Sequence, residues 1–298
     1  MENIEQVKDV NLSNVTNTKT GSLAKVIYYP KNKQELLLLV EELRNNNENP
    51  VVLGSFTNVA FSSKKFDRPI ISMEKFENQT ITYDPEQRIV AVGAGYQMKQ
   101  LAVWGLEHSI NAFQWMEGIP GTVGAGTYMN AGFLSGQDFW SFMVDTEVLM
   151  PDMSIVVFRN NDLHYSYRYS ELQNNGGIVL STRFLVRSGK KWKIRVRMHQ
   201  YHQRRANSQP LEYPSAGTVF VPPTPYHVGG MLRQLRLIGH QIGGARISEK
   251  SPGFIINTGD MTGEDYYQMV KFIQKSIKDK FDIDLTPEVR LFGFEDEK

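Results

Sequence analysis

A chain of 298 residues with 41% hydrophobic content is long enough for two domains, or one large one, around a real core, which excludes a disordered protein. Its 33 Lys and Arg against 32 Asp and Glu leave a formal charge of +1, so nothing in the overall electrostatics points to nucleic acid or a membrane as partner. With no cysteine, disulfides, thiolate nucleophiles, thiolate-held Fe–S clusters and Cys-ligated zinc are excluded.

The N-terminal stretch "MENIEQVKDVNLSN" is acidic and polar and lacks the apolar core of a secretory signal. No apolar run approaches the roughly 18 residues that span a bilayer. A cytoplasmic protein without membrane insertion is expected. From Ala24 to Tyr83, short β-rich runs ("KVIYYP", "PVVLG", "RPIISM", "QTITY") alternate with one helix pattern, "NKQELLLLVEELRNNN", capped by Asn32 and buried along Leu36–Val40. "QRIVAVGAGYQMKQLAVWGLEHS" reads as strand, glycine turn and helix, and residues 144–158 and 177–187 read as strands joined by a polar loop.

"KKWKIRVRMHQYHQRRANSQP" fits two patterns. Lys191, Lys193, Arg195 and Arg197 alternate like the wet face of a strand, whereas Ile194, Met198 and Tyr201 have helical spacing. Beyond it, "GGMLRQLRLIG" reads as an amphipathic helix, "GFIINTG" as a strand, "GEDYYQMVKFIQKSIKDKFD" as a long amphipathic helix and "IDLTPEVRLFG" as a final strand. No internal repeat suggests a solenoid.

"VGAGYQM" has Met98 where a dinucleotide fingerprint needs its third glycine, so it reads as a tight turn. "EGIPGTVGAGTYMNAG" places Gly118, Gly121, Gly124, Gly126 and Gly132 within sixteen residues. That density either lets main-chain N–H groups approach a pyrophosphate or an extended flat cofactor, or merely turns the chain. His199 and His202 are one helical turn apart, but without a third ligand nearby a solvated basic face is the better reading, and no metal site is expected. Arg168, Glu288 and the Thr218 of "PSAGTVF" are individually ordinary: a surface or paired arginine, a solvated glutamate, a loop hydroxyl.

Taken in order, "GIPGTVGAGTYMNAG", "YRYS", "QPLEYPSAGTVF", "IGGARISEKSPGFIINTG" and "PEVRLFG" resemble the UDP-N-acetylenolpyruvoylglucosamine reductase (MurB) family, from about residue 17 to the C-terminus and in its compact form. The resemblance implies an α+β protein. After an N-terminal extension, 1–20, it implies an FAD-binding fold of the vanillyl-alcohol oxidase type over 21–205, in two α+β subdomains of about 21–75 and 76–205. A C-terminal α+β substrate-binding domain, 206–298, would follow. It implies reduction of UDP-N-acetylglucosamine enolpyruvate to UDP-N-acetylmuramate for peptidoglycan precursor synthesis, with FAD and NADPH as cofactors and a UDP-sugar as the partner molecule.

By position, the resemblance makes Arg168 the holder of the substrate carboxylate, Glu288 the support of the enol intermediate and Thr218 the general acid, with Tyr167 and Gly217 beside the substrate. It assigns FAD to Gly54, Ser55, Phe56, Thr57 and Asn58, to Gly118, Ile119, Pro120, Gly121, Thr122, Val123 and Gly124, and to Asn130, Ala131 and Gly132. Several positions depart from the family pattern. Thr218 stands for serine, Phe56 for a small residue or glycine, Ala125 for glycine, Val221 for a polar side chain and Gly230 for lysine. Phe56 carries strain of about 1–3 kcal/mol if its φ is positive, and otherwise packs its ring. These departures leave two alternatives to the reductase: a divergent flavin reductase with another substrate, or a non-catalytic paralogue binding a UDP-sugar or a protein partner.

Overall fold

The computed structural model describes residues 4–134 and 136–295. The chain folds as two compact units. The first takes Val26–Ser55 and Arg68–Arg204 together with the N-terminal residues up to Val7; the second takes Lys8–Lys25, Phe56–Asp67 and the chain from Arg205 onward. Residues 1–3 of the expected N-terminal extension lie outside the described residues. The rest of that extension is ordered, with Glu5–Asn11 forming a strand.

A four-stranded sheet runs in the order Glu5–Asn11, Leu23–Tyr29, Ile70–Ser72, Val51–Leu53, its last three strands parallel. Helix α1, Lys33–Asn45, starts where Asn32 accepts the Glu35 amide at 3.0 Å, and it buries Leu36, Leu39 and Leu43, as its sequence pattern predicts. A five-stranded antiparallel sheet follows, in the order Ile155–Arg159, Met143–Leu149, Ile178–Leu185, Ile89–Gly93, Ile81–Asp84. The single strand expected over 144–158 is thus a hairpin. Pro151 removes a ladder donor and Met153 takes φ +73°, so the chain must turn there.

Helix α2, Met98–Glu107, follows the "VGAGYQM" turn. A Cβ on Gly124 would lie 2.8 Å from that of Ala94, so this turn packs against helix α3, Val123–Met129. Helix α4, Leu172–Asn175, is a single turn. The ambiguous basic segment is helix α5, Lys191–Ser208. Ile194 and Met198 are buried on one side of it, while Trp192 and Val196 are exposed. Burial of the helical pair decides between two patterns that the sequence satisfies equally.

In the second unit, Gln241–Ile242, Ala245–Ile247 and Ile255–Asn257 form an antiparallel sheet. Helix α6, Val228–Gln234, is shorter than the amphipathic pattern over 229–239, because Arg236 and Gly239 adopt left-handed φ of +58° and +76°. Helix α7, Gly263–Phe281, begins in a reciprocal cap: Thr262 accepts the Asp265 amide and Asp265 accepts that of Thr262. It buries Tyr266, Met269, Val270, Ile273 and Ile277. The expected final strand is only Arg290–Phe292, paired in parallel with Val59–Phe61.

Candidate active site

In the first unit, the chain leaves the strand Val51–Leu53 at Gly54, whose carbonyl accepts the Ser72 hydroxyl at 3.1 Å. A Cβ on Gly54 would lie 2.6 Å from Thr122 Oγ1 and 3.0 Å from Ala125 Cβ, so only a bare main chain approaches the start of α3 this closely. Ala125 fills space that Gly54 leaves. Thr122 caps α3 by accepting the Ala125 amide at 3.3 Å, and just before it Gly118 and Gly121 take φ of +74° and +118° around Ile119 and Pro120.

The glycine density therefore has two causes that the sequence could not separate. Gly118 and Gly121 serve conformations that side chains rarely adopt. Gly124, Gly126 and Gly132 instead spend their missing Cβ on internal packing, against Ala94, the Phe139 ring and Asp138 respectively. The conformational role is confined to the first two glycines of the motif rather than spread along it.

Asn130, which ends α3 in a left-handed conformation with φ +46°, is a hub. Its Nδ2 donates to the Ser166 carbonyl at 2.8 Å and its Oδ1 accepts the Trp140 amide at 3.0 Å. Its carbonyl accepts Arg168 Nη1 at 3.2 Å, while Arg168 Nη2 donates to the Gly132 carbonyl at 2.6 Å. Ser166 and Tyr169 exchange main-chain hydrogen bonds, so Tyr167 and Arg168 form the tip of a tight turn. Arg168 sits there at φ +53°, with its guanidinium carbon 4.8 Å from the center of the Tyr167 ring, which is itself exposed. A non-glycine residue held in this region at an expected site is strained.

In the second unit, Gly217 takes φ +86° and delivers Thr218 into an extended segment. Thr218 bridges Phe254, Val219 donates to the Gly253 carbonyl at 3.0 Å, and the Val219 carbonyl accepts the Glu288 amide at 2.7 Å. On the other side of Glu288, Asn58 Nδ2 donates to the Glu288 carbonyl at 3.1 Å and the Asn58 carbonyl accepts the Arg290 amide at 3.1 Å. Three extended segments far apart in sequence thus bring Thr218 and Glu288 onto neighboring positions. Glu288 is half-buried rather than a solvated end-of-strand residue.

Phe56 meets both conditions foreseen for it. Its φ is +54° and its side chain is 3% exposed, so the ring is packed and the main chain is strained at once. Its carbonyl accepts the Asn17 amide at 3.2 Å. The loop of Gly54–Asn58 is divided, with Gly54 and Ser55 in the first unit and Phe56, Thr57 and Asn58 in the second.

Sequence reasoning missed Tyr266, Asn58's hold on Glu288, and Gly253. Tyr266 is fully buried on α7. Burial, reinforced by the charge of Glu288, pushes its hydroxyl well above the usual tyrosine range, so it remains protonated near the carboxylate. Only its place on the apolar stripe of α7 marked it in the sequence, and that stripe reads as core. His202 lies on α5 with Nδ1 3.3 Å from Glu117 Oε2. Among the described residues, no three His, Cys, Asp or Glu side chains gather as a metal center, and no helix is long and apolar enough to cross a membrane.

Comparisons with known proteins identify the fold as that of an FAD-dependent oxidoreductase. A model of FAD binding domains matches residues 24–159, and a model of the UDP-N-acetylenolpyruvoylglucosamine reductase C-terminal domain matches 209–292. The chain is 35% identical over 295 residues to the UDP-N-acetylenolpyruvoylglucosamine reductase of Lactobacillus gasseri, covering 99% of this chain and 96% of the relative. It is 35% identical over 278 residues to that of Caldanaerobacter subterraneus subsp. tengcongensis, covering 93% and 90%. Among solved structures it is similar to UDP-N-acetylenolpyruvylglucosamine reductase from Thermus caldophilus, with TM-score 0.79, 26% identity, and coverage of 97% of this chain and 98% of that one. The chain belongs to the UDP-N-acetylenolpyruvoylglucosamine reductase family.

The residues present fit FAD. Gly118 and Gly121 turn the chain with no side chain in the way, and no acidic side chain stands at Gly54–Asn58 or Gly118–Gly124 to repel a diphosphate.

Proposed function

We propose that this chain reduces the enolpyruvyl ether of UDP-N-acetylglucosamine enolpyruvate to UDP-N-acetylmuramate, in peptidoglycan precursor synthesis in the cytoplasm. FAD, when bound, would supply the redox chemistry that carries hydride from NADPH to C3 of the ether. Gly54, Ser55 and the Gly118–Gly124 segment would hold the diphosphate, with Phe56 and Thr57 continuing the loop and the Asn130, Ala131 and Gly132 turn supporting it.

Hydride addition at C3 leaves negative charge that spreads from C2 into the substrate carboxylate. The site must hold that charge and then protonate C2. Arg168 answers the first need, because its guanidinium, anchored on two carbonyls, is a planar positive charge of fixed orientation. Thr218 gives its hydroxyl proton to C2, and Glu288 supports the enol and passes a proton taken from solvent to the threonine, ending as the carboxylate it began as. Tyr167 would contact the substrate with Arg168, and Gly217 with Thr218.

The observation that carries this reading is the main-chain ladder that joins the Thr218 and Glu288 segments, in which the Glu288 amide bonds the carbonyl of the residue after Thr218. The test is the purified protein with FAD. Flavin absorbance should appear, NADPH should bleach it, and the enolpyruvyl UDP-sugar should restore it. A protein that takes up no flavin would sink both enzyme readings. One whose NADPH-reduced flavin is not reoxidized by this substrate would be a flavin reductase with another substrate.

A further inference from the structure

Eight of the chain's 33 Lys and Arg, and none of its 32 Asp and Glu, fall within residues 187–211, so a formal charge of +1 hides a strongly basic stretch in an otherwise acidic chain. Most of that stretch is α5, Lys191–Ser208. Its inner side is a stripe of Ile194, Met198 and Tyr201, buried or half-buried and spaced by four and three residues, as one face of a helix requires. Tyr201 fixes that side, its hydroxyl accepting Gln137 Nε2 at 2.7 Å and its ring meeting Phe133 edge-on, and Arg197 Nη1 donates to Asn111 Oδ1 at 3.3 Å. The opposite side carries a second stripe with the same spacing, Trp192, Val196 and His199, in which Trp192 is 61% and Val196 47% exposed. A helix that serves only its own core needs one apolar stripe, and α5 has apolar side chains on two opposite faces. Exposed cations flank the outer stripe, with Lys193, Arg197 and Arg204 along one edge and Lys191 and Arg195 along the other.

We propose that the outer face of α5 is a docking surface for an anionic lipid bilayer. Lying along such a surface, α5 places Trp192 and Val196 at the boundary of headgroups and acyl chains, where an indole is favored, and holds Lys191, Lys193, Arg195, Arg197 and Arg204 at the level of the lipid phosphates. Lys193 Nζ, 5.5 Å from the center of the Trp192 ring, ties the apolar crest to its cationic edge. A nucleic acid fits this face less well, because its phosphates would meet the crest, where the apolar side chains stand. The attachment is peripheral, since among the described residues no helix is long and apolar enough to cross a membrane. It is also reversible and salt-dependent, because two apolar side chains are a shallow anchor and most of the attraction is ionic. Docking of this kind does not involve Arg168, Thr218 or Glu288.

The test is cosedimentation of the FAD-loaded protein with lipid vesicles. Vesicles of equal parts phosphatidylglycerol and phosphatidylcholine should bind it at least about tenfold more tightly than vesicles of phosphatidylcholine alone, and about 0.5 M salt should abolish the difference. Trp192→Ala should weaken binding to the anionic vesicles about tenfold, and Lys191→Gln and Arg195→Gln about fivefold each. All three variants should melt and reduce their flavin with NADPH as the parent does, because only exposed side chains are removed. In the unaltered protein, the part of the tryptophan emission that Trp192→Phe removes should be quenched by brominated acyl chains. Equal binding to both kinds of vesicle, or binding to neither, overturns the proposal, and so does a Trp192→Ala protein that binds like the parent. A short DNA duplex bound more tightly than the anionic vesicles would make this face a nucleic-acid surface. A dimer that forms without lipid and is broken by Trp192→Ala would make it a contact between copies of this chain. Either result overturns lipid docking.

Discussion

In the first unit Arg168 is held through its side chain, with its guanidinium on the Asn130 and Gly132 carbonyls and its own main chain strained at φ +53°. In the second, Thr218 and Glu288 are held through their main chain, in a ladder that runs Gly253, Val219, Glu288, Asn58. The difference separates two ways of presenting a functional group. A side chain that is itself part of the scaffold cannot be removed without disturbing the scaffold, whereas a side chain carried on a ladder can be exchanged with its surroundings intact. Activity and stability should therefore move together in the first unit and apart in the second.

The largest effect belongs to the ladder. Thr218→Val and Glu288→Gln should each lower reoxidation by the enolpyruvyl UDP-sugar by about 10²- to 10⁴-fold, the usual range for a general acid, with flavin reduction by NADPH unaffected. Thr218→Val should also leave the unfolding free energy within about 0.5 kcal/mol of the parent, measured by denaturant titration. A stability loss equal to the activity loss would erase the contrast.

Phe56 tests strain without chemistry. Phe56→Ala should destabilize the protein by about 3 kcal/mol, because a buried ring is lost. Phe56→Gly should be milder by about 1 kcal/mol, because glycine relieves the left-handed backbone. Equal losses in the two variants, read from denaturation midpoints, would mean that the backbone at 56 stores no strain.

Arg168→Lys keeps the charge and loses the fork. It should lower kcat/KM by about tenfold or more, and it should also cost about 1–3 kcal/mol of stability, because two carbonyls lose a charged donor. Loss of activity with unchanged melting would make Arg168 resemble the ladder residues.

The smallest effect concerns the start of α7. Burial pushes the Asp265 carboxyl up, but hydrogen bonds from the Thr262 and Gly244 amides and the Thr262 hydroxyl outweigh it and hold the group below its usual value. A lowered folded-state value means the cap contributes fully above the unfolded value of about 4 and is lost as pH falls through the folded one. Asp265→Ala should thus cost about 1 kcal/mol at neutral pH, and the two proteins should converge in stability in acid. A gap that persists at low pH would show that packing, not charge, accounts for the loss.

The elements that the sequence marked most clearly are those whose signals are local. Asn32 capping α1 and the apolar stripe of α7 lie within one or two helical turns of what they control. The basic helix α5 was ambiguous because its charges alternate like a strand, and only the burial of Ile194 and Met198 decides it. Arg168, Thr218 and Glu288 were recognizable by their place in ordered motifs, not by their own surroundings. Asn58 lay in a loop that the family pattern gives to FAD, and nothing near it in the sequence pointed to Glu288. Gly253 looked like one more turn glycine in "SPGFIINTG".

By itself, the sequence determined the family, the chemical inventory of an arginine, a hydroxyl and a carboxylate, and the helices whose caps and stripes are local. The tertiary structure alone decided which glycines serve conformation and which serve packing, that Phe56 is both buried and strained, and that Glu288 is clasped by Asn58, 230 positions away. The physical reason is that a cap or an amphipathic period repeats within a few residues. A hydrogen bond between distant segments leaves no periodic trace in the chain.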